Sequence, residues 1–227
     1  KNFWKKIYEP IIRKAAGLGK PPKEFKAVST HLYHNVDITI VGGGLNGLIA
    51  AKSLIDTKYS VLLIDFDDQL GGILNNSNKV QSVNNQTPMD WISETVKEIE
   101  NSKNIKILKN TLVTTYNYIN HLIAVEDKFV GSRPLKDKVN STLHKIRTDQ
   151  VILSNGHIER FLSFQNNDLP GIMLCSSFEK YMCRYGVIPS KETVVFSNNS
   201  NSESLVFSLI KKGFKPKAYI DSRSGEN

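Results

Sequence analysis

Three glycines, Gly42, Gly44 and Gly47, are separated by one residue and then by two. In this pattern the first glycine permits a tight turn, the second lets a pyrophosphate approach the backbone, and the third lets a helix pack closely on a strand. The glycines follow a short β-branched run, Val36–Val41, and precede apolar residues at helical intervals from Leu48. Because a helix N-terminus carries unpaired N–H groups and a partial positive charge, the turn is predicted to bind a dinucleotide.

An acidic residue ends the next apolar run. Tyr59–Ile64 leads into Asp65, about 20 residues beyond the first glycine, where a carboxylate accepts hydrogen bonds from ribose hydroxyls. A carboxylate there repels a 2′-phosphate, so NADP is disfavoured, whereas NAD and FAD share the same adenosine half and both stay open. Gly71 and Gly72 follow where flavoproteins with two dinucleotide folds bring backbone near the cofactor, so both are predicted to lie at the site.

The order of strand, turn, helix and strand over residues 36–64 is that of a βαβ unit. It predicts an α/β protein with a Rossmann-like FAD/NAD(P)-binding fold of the two-dinucleotide-binding type. We expect a small antiparallel β-meander after it, and a buried strand at Gln150–Leu153 that leads to Asn155 and Gly156. The turn at these two residues is predicted to pass close to the cofactor.

The remaining elements of this region follow from apolar periodicity and from turn residues. We predict an exposed loop at 73–88, a helix at 89–100 capped by Thr87 or Asp90, a strand at 105–108, meander strands at 112–118, 121–126 and 143–147, and a polar loop at 130–141.

A second, incomplete βαβ unit is predicted near the end of the chain. Its helices and strands fall at residues 176–184, 193–197, 202–212 and 217–220. The segment Val195–Ser200 stands where a second glycine fingerprint would lie but contains no glycine, so this unit is not expected to bind a dinucleotide in the ordinary way. Since an open parallel sheet needs a further strand, we expect the chain to be a fragment of a longer protein.

These elements divide the chain into three predicted domains. They are a basic N-terminal arm with short helices over 1–35, a dinucleotide-binding domain over 36–175 with its meander at about 110–149, and a partial second Rossmann-like domain over 176–227.

The composition narrows the classes of partner. The 227 residues include 30 Lys and Arg and 22 Asp and Glu, a net charge of +8, most of which lies in the arm before Lys26. The rest of the chain carries no stripe of basic residues, so no nucleic-acid partner is expected. No apolar run approaches the roughly 20 residues that span a bilayer, so no membrane partner is expected. Without a secretory signal or paired cysteines, we expect a cytoplasmic protein.

Other chemistry-bearing residues do not form a recognisable centre. Cys175 and Cys183 are too far apart for a Cys-x-x-Cys redox pair, and no cysteine or acidic cluster accompanies His31 and His34. No Ser-His-Asp set or carboxylate pair is evident. We therefore predict neither a metal site nor a catalytic residue in this chain.

Several segments, in collinear order, carry a family resemblance over nearly the whole chain. The chain resembles the alpha subunit of heterotetrameric sarcosine oxidase at residues 8–19, 41–47, 65–72, 114–118, 155–160, 166–174 and 194–199. The resemblance implies that NAD binds at the first fold through Gly42, Gly44, Gly47 and Asp65, with Asn155 and Gly156 nearby.

The resemblance also implies partners and an activity. Beta, gamma and delta subunits would complete the complex, with FAD and a covalently held FMN on the beta subunit. The complex would oxidise sarcosine to glycine, passing the one-carbon unit to tetrahydrofolate and forming peroxide. No residue of this chain would attack sarcosine, and the chain is not expected to be active alone.

Two alternatives stay open. Related alpha subunits serve amino-acid, proline and opine dehydrogenases, in which the same site holds FAD. An autonomous FAD-dependent pyridine-nucleotide oxidoreductase is the other, although it lacks support from a Cys-x-x-Cys pair or a second glycine fingerprint.

Overall fold

The computed structural model describes residues 3–17, 28–76, 80, 82–127, 139–190 and 192–223. The strands are β1 (Val28–Val41), β2 (Val61–Ile64), β3 (Ile105–Leu108), β4 (Thr111–Asn117), β5 (His121–Asp127), β6 (Val139–Leu153), β7 (Val194–Ser197) and β8 (Ala218–Asp221). The helices are a π-helical segment (Trp4–Tyr8) continued by α1 (Glu9–Ala15), then α2 (Leu45–Ser53), α3 (Ile73–Asn76), α4 (Pro88–Asn101), α5 (Cys175–Arg184) and α6 (Glu203–Lys211), the last preceded by a 3₁₀ turn (Ser200–Ser202).

A mostly parallel sheet organises the first part of the chain. Within the described residues its strand order is β3-β2-β1-β6-β5-β4. The first four of these strands pair in parallel, whereas β5 and β4 extend the sheet in antiparallel fashion. The strands β7 and β8 form a separate parallel pair. The α/β class and the Rossmann-like arrangement predicted from the sequence are confirmed.

Strand β2 shows why this sheet is stable. All of its residues are buried, and its alternating side chains enter two different apolar clusters. Val61 and Leu63 pack with residues of α2 and α4, while Leu62 and Ile64 pack on the opposite face with residues of β5 and β6. A strand covered on both faces has a continuous apolar sequence, as found here.

Strand β1 is longer than the sequence predicted. Residues up to about Asn35 were expected to be a linker, but the strand begins at Val28. The segment Ser29–Val36 pairs residue by residue with Ser141–Thr148 of β6. The prediction is wrong for residues 28–35 because their hydrogen-bond partners lie more than 100 positions away in the chain. The division of the chain into domains stays a prediction.

The meander is part of the main sheet. The predicted strands at 143–147 and 150–153 are one continuous strand, β6, which pairs in parallel with β1 and antiparallel with β5. The expectation of a separate strand at 150–153 is therefore wrong, since β1 offers an unbroken partner along its length. Residues 130–138 of the predicted polar loop (130–141) lie outside the described residues, and its last three residues belong to β6.

Two local predictions near the sheet differ in outcome. The loop expected over 73–88 begins instead with helix α3, where Leu74 packs into the core. The helix expected over 89–100 is confirmed as α4, and the side chain of Thr87 caps it by accepting a hydrogen bond from the Asp90 backbone N–H. Capping of this kind satisfies one of the unpaired N–H groups at a helix start.

The predicted second βαβ unit is confirmed in outline. Strands β7 and β8 flank α6, and a third apolar cluster includes Phe178 and Met182 of α5 with Leu205 and Leu209 of α6. At the other end of the chain, none of the residues of α1 or of the π-helical segment is buried. No helix among the described residues is both long and apolar enough to cross a membrane.

Two histidines and a glutamate form a polar chain across the sheet. His34 Nε2 lies 2.9 Å from His144 Nδ1, and His144 Nε2 lies 3.4 Å from Glu126 Oε2. Burial lowers the pKa of His34 below its usual 6.5, and the positive charge of Lys106 and the neighbouring His144 lower it further. The folded protein therefore favours the neutral form of His34.

This pKa shift predicts a pH-dependent stability. As the pH falls below about 6.5, the unfolded chain takes up a proton at His34 that the folded chain resists, so the free energy of unfolding should decrease. His34→Gln keeps a hydrogen-bonding side chain without this titration and should flatten the dependence, measured by urea unfolding from about pH 5 to about pH 8. His157→Gln, at an exposed position, is the matched control. An unchanged pH dependence in His34→Gln would contradict the assignment.

Candidate nucleotide-binding site

The turn after β1 is held by hydrogen bonds at the ends of β2 and β6. The Gly42 N–H donates to the Ile64 carbonyl (2.8 Å), and the Ser154 N–H donates to the Val41 carbonyl (2.7 Å). Gly42 has φ +102°, and a Cβ added there would lie 2.3 Å from the Ser154 carbonyl oxygen. Gly42 is therefore needed both for its left-handed backbone and for the close passage of a second strand.

Gly47 allows α2 to start directly over this turn. A Cβ at Gly47 would lie 1.8 Å from the Gly42 carbonyl oxygen, a backbone atom that cannot move aside without disturbing the turn. The third glycine of the pattern thus sets the close helix packing that the sequence predicted.

Gly44 differs from the other two because a side chain there would make an ordinary contact and not a clash. It precedes α2 with an extended backbone (φ −73°, ψ −169°), and no side chain caps the helix start. A Cβ at Gly44 would find only the Cα of Gly72, at 4.0 Å. The first N–H groups of α2, which have no partner within the helix, lie next to Gly44, and a helix start of this kind can bind a phosphate.

The carboxylate of Asp65 ties this turn to the loop after β2. Its Oδ2 accepts a hydrogen bond from the Gly43 N–H (2.5 Å), and its Oδ1 accepts one from the Asp67 N–H (2.8 Å). Asp65 is only 8% exposed. Burial raises the pKa of Asp65, against the opposing effect of the two backbone hydrogen bonds. Each carboxylate oxygen keeps a further lone pair with which a ribose hydroxyl could be bound.

Gly43 is a member of the site that sequence reasoning missed. A Cβ there would lie 2.4 Å from Leu70 Cδ2 and 3.1 Å from Asp65 Oδ2. The unbroken run of three glycines, of which Gly43 is the middle one, was the available signal. Its carbonyl also accepts the Gly71 N–H (2.8 Å), which draws the next loop onto the turn.

The predicted pair Gly71 and Gly72 lies beside Gly44. Both have positive φ, +121° and +54°, and a Cβ at Gly72 would lie 3.0 Å from the Gly44 Cα. Gly44 and Gly71 also form an isolated parallel β-bridge. The structure therefore brings these glycines together on one side of the space in front of α2.

Asn155 and Gly156 reach the same end of the sheet but pack less closely. Both are exposed, and a Cβ at Gly156 would meet nothing within 4 Å, although its φ is +66°. The residue in contact with the glycine turn is Ser154, whose Cβ would be 3.5 Å from a Cβ at Gly47.

Cations from α5 meet the acidic loop after Asp65. Lys180 Nζ lies 3.4 Å from Asp67 Oδ1, and Arg184 pairs with both Asp67 and Asp68. Burial alone would lower the pKa of Arg184, but the two carboxylates outweigh it and the pKa is raised. These ion pairs join the second unit to the nucleotide-binding turn, and sequence reasoning missed them because more than 100 residues separate the partners.

The matching turn of the second unit is closed by its own side chains. Asn199 caps the following 3₁₀ turn by accepting the Asn201 N–H (2.8 Å), and the Ser197 hydroxyl donates to the Asn199 carbonyl (2.6 Å). Asp221 ends β8 but pairs with Arg223, whose hydrogen bonds lower the pKa of that carboxyl. That this unit does not bind a dinucleotide in the ordinary way stays a prediction.

Other candidate centres are absent from the part of the chain that the structure describes. No group of three or more His, Cys, Asp and Glu residues could hold a metal ion there. Cys175 and Cys183 both lie on α5 as thiols and not in a disulfide with each other.

Comparisons with known proteins agree with this geometry. Residues 40–106 match the family model of the NAD(P)-binding Rossmann-like domain, a range that contains the glycine turn, Asp65 and the second glycine pair. The chain is also 30% identical over 224 residues to the sarcosine oxidase alpha subunit of Rhizobium meliloti strain 1021, covering 97% of this chain. It is 32% identical over 215 residues to that of Corynebacterium sp. strain P-1, covering 92% of this chain.

The chain is a homologue of the sarcosine oxidase alpha subunit. It spans 22% of the length of each of these two relatives. An L-amino acid dehydrogenase of Synechocystis is 42% identical over a shorter stretch of 62 residues, which is 27% of this chain and 12% of that protein. These similarities support a dinucleotide-binding domain of an oxidoreductase.

Solved structures share the fold. The L-proline dehydrogenase of P. horikoshii superimposes with a TM-score of 0.65 at 22% identity, over 91% of this chain and 38% of that chain. The thioredoxin reductase of Lactococcus lactis gives a TM-score of 0.52 at 16% identity, over 84% of this chain and 59% of that chain.

The contrast between Gly44 and Gly47 yields a paired prediction. Gly44→Ala should fold with nearly unchanged stability, because its Cβ meets no atom closer than 4.0 Å, yet should weaken dinucleotide binding tenfold or more by filling the phosphate space. Gly47→Ala should lose about 2–3 kcal/mol of unfolding free energy through its clash with Gly42. Thermal unfolding measures the stability of each variant, and calorimetric titration measures its affinity for the dinucleotide. Normal binding by a folded Gly44→Ala variant would refute the site.

Proposed function

We propose that this chain is the NAD-binding part of a sarcosine-oxidase-like alpha subunit. The single observation that carries the proposal is the start of α2, which no side chain caps and where a Cβ at Gly44 would meet no atom closer than 4.0 Å. The similarity of nearly the whole chain to sarcosine oxidase alpha subunits supports the choice of family.

The residues around this space have separable roles in the proposal. The first turn of α2 would bind the pyrophosphate through backbone N–H groups, with Gly44 leaving room for its approach. Asp65 would accept a hydrogen bond from the adenosine ribose while it holds the turn through Gly43. Gly71 and Gly72 would border the cofactor on the same side as Gly44, and Asn155 with Gly156 would lie at its outer edge.

The charge of the site supports NAD over NADP. Asp65 stands at the ribose position, and the acidic Asp67 and Asp68 follow within three residues. A 2′-phosphate would approach these carboxylates at an unfavourable energy. A bound dinucleotide of the nicotinamide or flavin type supplies redox chemistry that no side chain provides.

Catalysis on the amine is assigned to other chains of the complex. In this proposal beta, gamma and delta subunits complete a heterotetramer, and the beta subunit carries FAD and covalently held FMN. The complex demethylates sarcosine oxidatively to glycine, transfers the one-carbon unit to tetrahydrofolate and forms peroxide. The chain itself contributes no catalytic residue and is inactive alone. Its cytoplasmic location stays a prediction from the sequence.

A second candidate is an FAD-binding alpha subunit of an amino-acid, proline or opine dehydrogenase. The local similarity to the Synechocystis L-amino acid dehydrogenase favours it, since the proposed site would then hold FAD in place of NAD. An autonomous FAD-dependent reductase has less support, because the turn of the second unit is occupied by Asn199 and Ser197.

The identity of the nucleotide separates these functions. The chain would be purified, its absorption recorded from about 300 to about 550 nm, and the small molecules released on denaturation identified by mass spectrometry. A protein without visible absorption that releases or, when titrated, binds NAD is expected, since the flavins are assigned to a partner. A yellow protein that releases FAD would refute the NAD assignment and support the dehydrogenase alternative.

Asp65→Asn tests the role of the carboxylate. The amide oxygen can still accept the Gly43 N–H, but the amide NH2 faces the Asp67 N–H and that hydrogen bond is lost together with the negative charge. NAD affinity should therefore fall about tenfold, and the preference for NAD over NADP should shrink. Calorimetric titration with both nucleotides measures the ratio, and Asp56→Asn, the same change at an exposed position outside the site, serves as the control. If the ratio of NAD to NADP affinity is unchanged in folded Asp65→Asn, the negative charge at this position does not cause the preference for NAD.

A further inference from the structure

A concave surface with positive charge lies on the sheet away from the nucleotide site. It consists of two adjoining concavities of about 500 and about 200 Å³. The larger is lined by Tyr33, His34, Asn35, His121, Lys145 and Arg147. The smaller is lined by Tyr118, Ile119, His121 and Arg147. Since His121 and Arg147 border both, the two form one surface, called here the cationic groove, and no Asp or Glu lines it among the described residues.

Strand register brings the cations of the groove together. In the pairing of β1 with β6, Tyr33 stands opposite Lys145 and Asn35 opposite Arg147. In the pairing of β5 with β6, His121 stands opposite Arg147. Residues directly opposite each other point to the same face of a sheet. Side chains from three strands thus converge although they are far apart in sequence.

The charge of the groove is not neutralised within the described part of the chain. Lys145 Nζ lies 5.3 Å from the centre of the Tyr33 ring and contacts its hydroxyl at 3.5 Å, but it makes no ion pair there. Arg147 is exposed, and no hydrogen bond or ion pair engages its guanidinium in the described residues. Most of the net charge of +8 lies in the N-terminal arm, so this groove is a local concentration on a nearly neutral body.

The tip of the β4–β5 hairpin adds exposed apolar groups to the groove. Tyr118 is 90% exposed and Ile119 is 70% exposed. Ile119 also has φ +59°, a left-handed conformation that is strained for a β-branched residue. The Asn120 side chain fixes this conformation by donating to the Asp149 carbonyl (2.7 Å) and accepting from the Tyr116 hydroxyl (2.7 Å). The fold therefore holds an aliphatic side chain in water next to Arg147.

The groove is separate from the nucleotide-binding turn. Asn35 precedes Gly42 by seven residues along β1, which at the rise of an extended strand is about 23 Å. A molecule in the groove would therefore not compete with a nucleotide for the same atoms.

We propose that the cationic groove docks an acidic segment of a partner polypeptide that also carries an aromatic side chain. Carboxylates of the segment would pair with Lys145 and Arg147, the latter through its two-pronged guanidinium. The aromatic side chain would cover Ile119 and Tyr118. Exposed Tyr and Arg side chains around a concavity are the residues that contribute most to protein interfaces.

A labelled peptide tests the proposal on the full chain. The probe is a fluorescein-labelled peptide of about 12 residues, with Glu and Asp around one Phe, followed by fluorescence anisotropy. Arg147→Glu and Lys145→Glu should each weaken its binding tenfold or more, and a peptide with Gln and Asn in place of the acids should not bind. Lys97→Glu, the same charge change at an exposed position of α4, should change affinity less than twofold.

Three results would overturn this assignment. The first is that the acidic peptide does not bind. The second is that Lys97→Glu weakens peptide binding as much as the groove variants do, which would mean that only the net charge matters. The third is that a single-stranded oligonucleotide binds more tightly than the peptide through the same residues. None of these results affects nucleotide binding at Gly44. If the docking proposal fails, the proposed function can therefore still be tested separately.

Ile119→Asn separates docking from folding. Asn tolerates the left-handed conformation, so the variant should unfold at a higher temperature than the parent chain. It should also bind the peptide at least threefold more weakly, because the apolar contact is lost. Unchanged peptide affinity in this variant would contradict a docking role for the hairpin tip.

Discussion

The site depends on how closely three stretches of backbone approach one another at the carboxyl ends of β1 and β6. The turn after β1 passes so near Ser154 that Gly42 has no room for a side chain, and α2 starts so near the same turn that Gly47 has none. Contacts of this kind decide where α2 begins and where its unpaired N–H groups point. Any side chain at either position would move the helix start away from the sheet.

Asp65 extends this arrangement to the rest of the molecule. Its carboxylate is unfavourably buried, and hydrogen bonds from two backbone N–H groups offset part of that cost. The carbonyl of Gly43, whose N–H is one of these donors, accepts the Gly71 N–H and so holds the Gly71–Gly72 loop beside Gly44. The following residues, Asp67 and Asp68, then bind Lys180 and Arg184 of α5. One short acidic segment therefore holds the glycine turn on one side and the second unit on the other.

The two βαβ units of the chain share a pattern but differ in chemistry. In the first unit no side chain caps the helix start, and the acid that ends the second strand accepts backbone hydrogen bonds. In the second unit Asn199 caps the helical turn, and Asp221 is neutralised by Arg223. In the second unit the protein's own side chains contact these groups, and its lack of dinucleotide binding stays a prediction.

The sequence by itself determined the first βαβ unit, the glycines that border the site and the capped helix α4, because these depend on local periodicity and on backbone conformations that glycine adopts most readily. Only the tertiary structure decided that β1 begins at Val28 and that β6 is continuous, since each supplies the hydrogen-bond partners of the other across more than 100 residues. The same holds for the pairing of Arg184 with Asp67 and for the convergence of His121 with Arg147. Contacts between distant segments leave no periodic trace in either segment, and the fold alone brings them together.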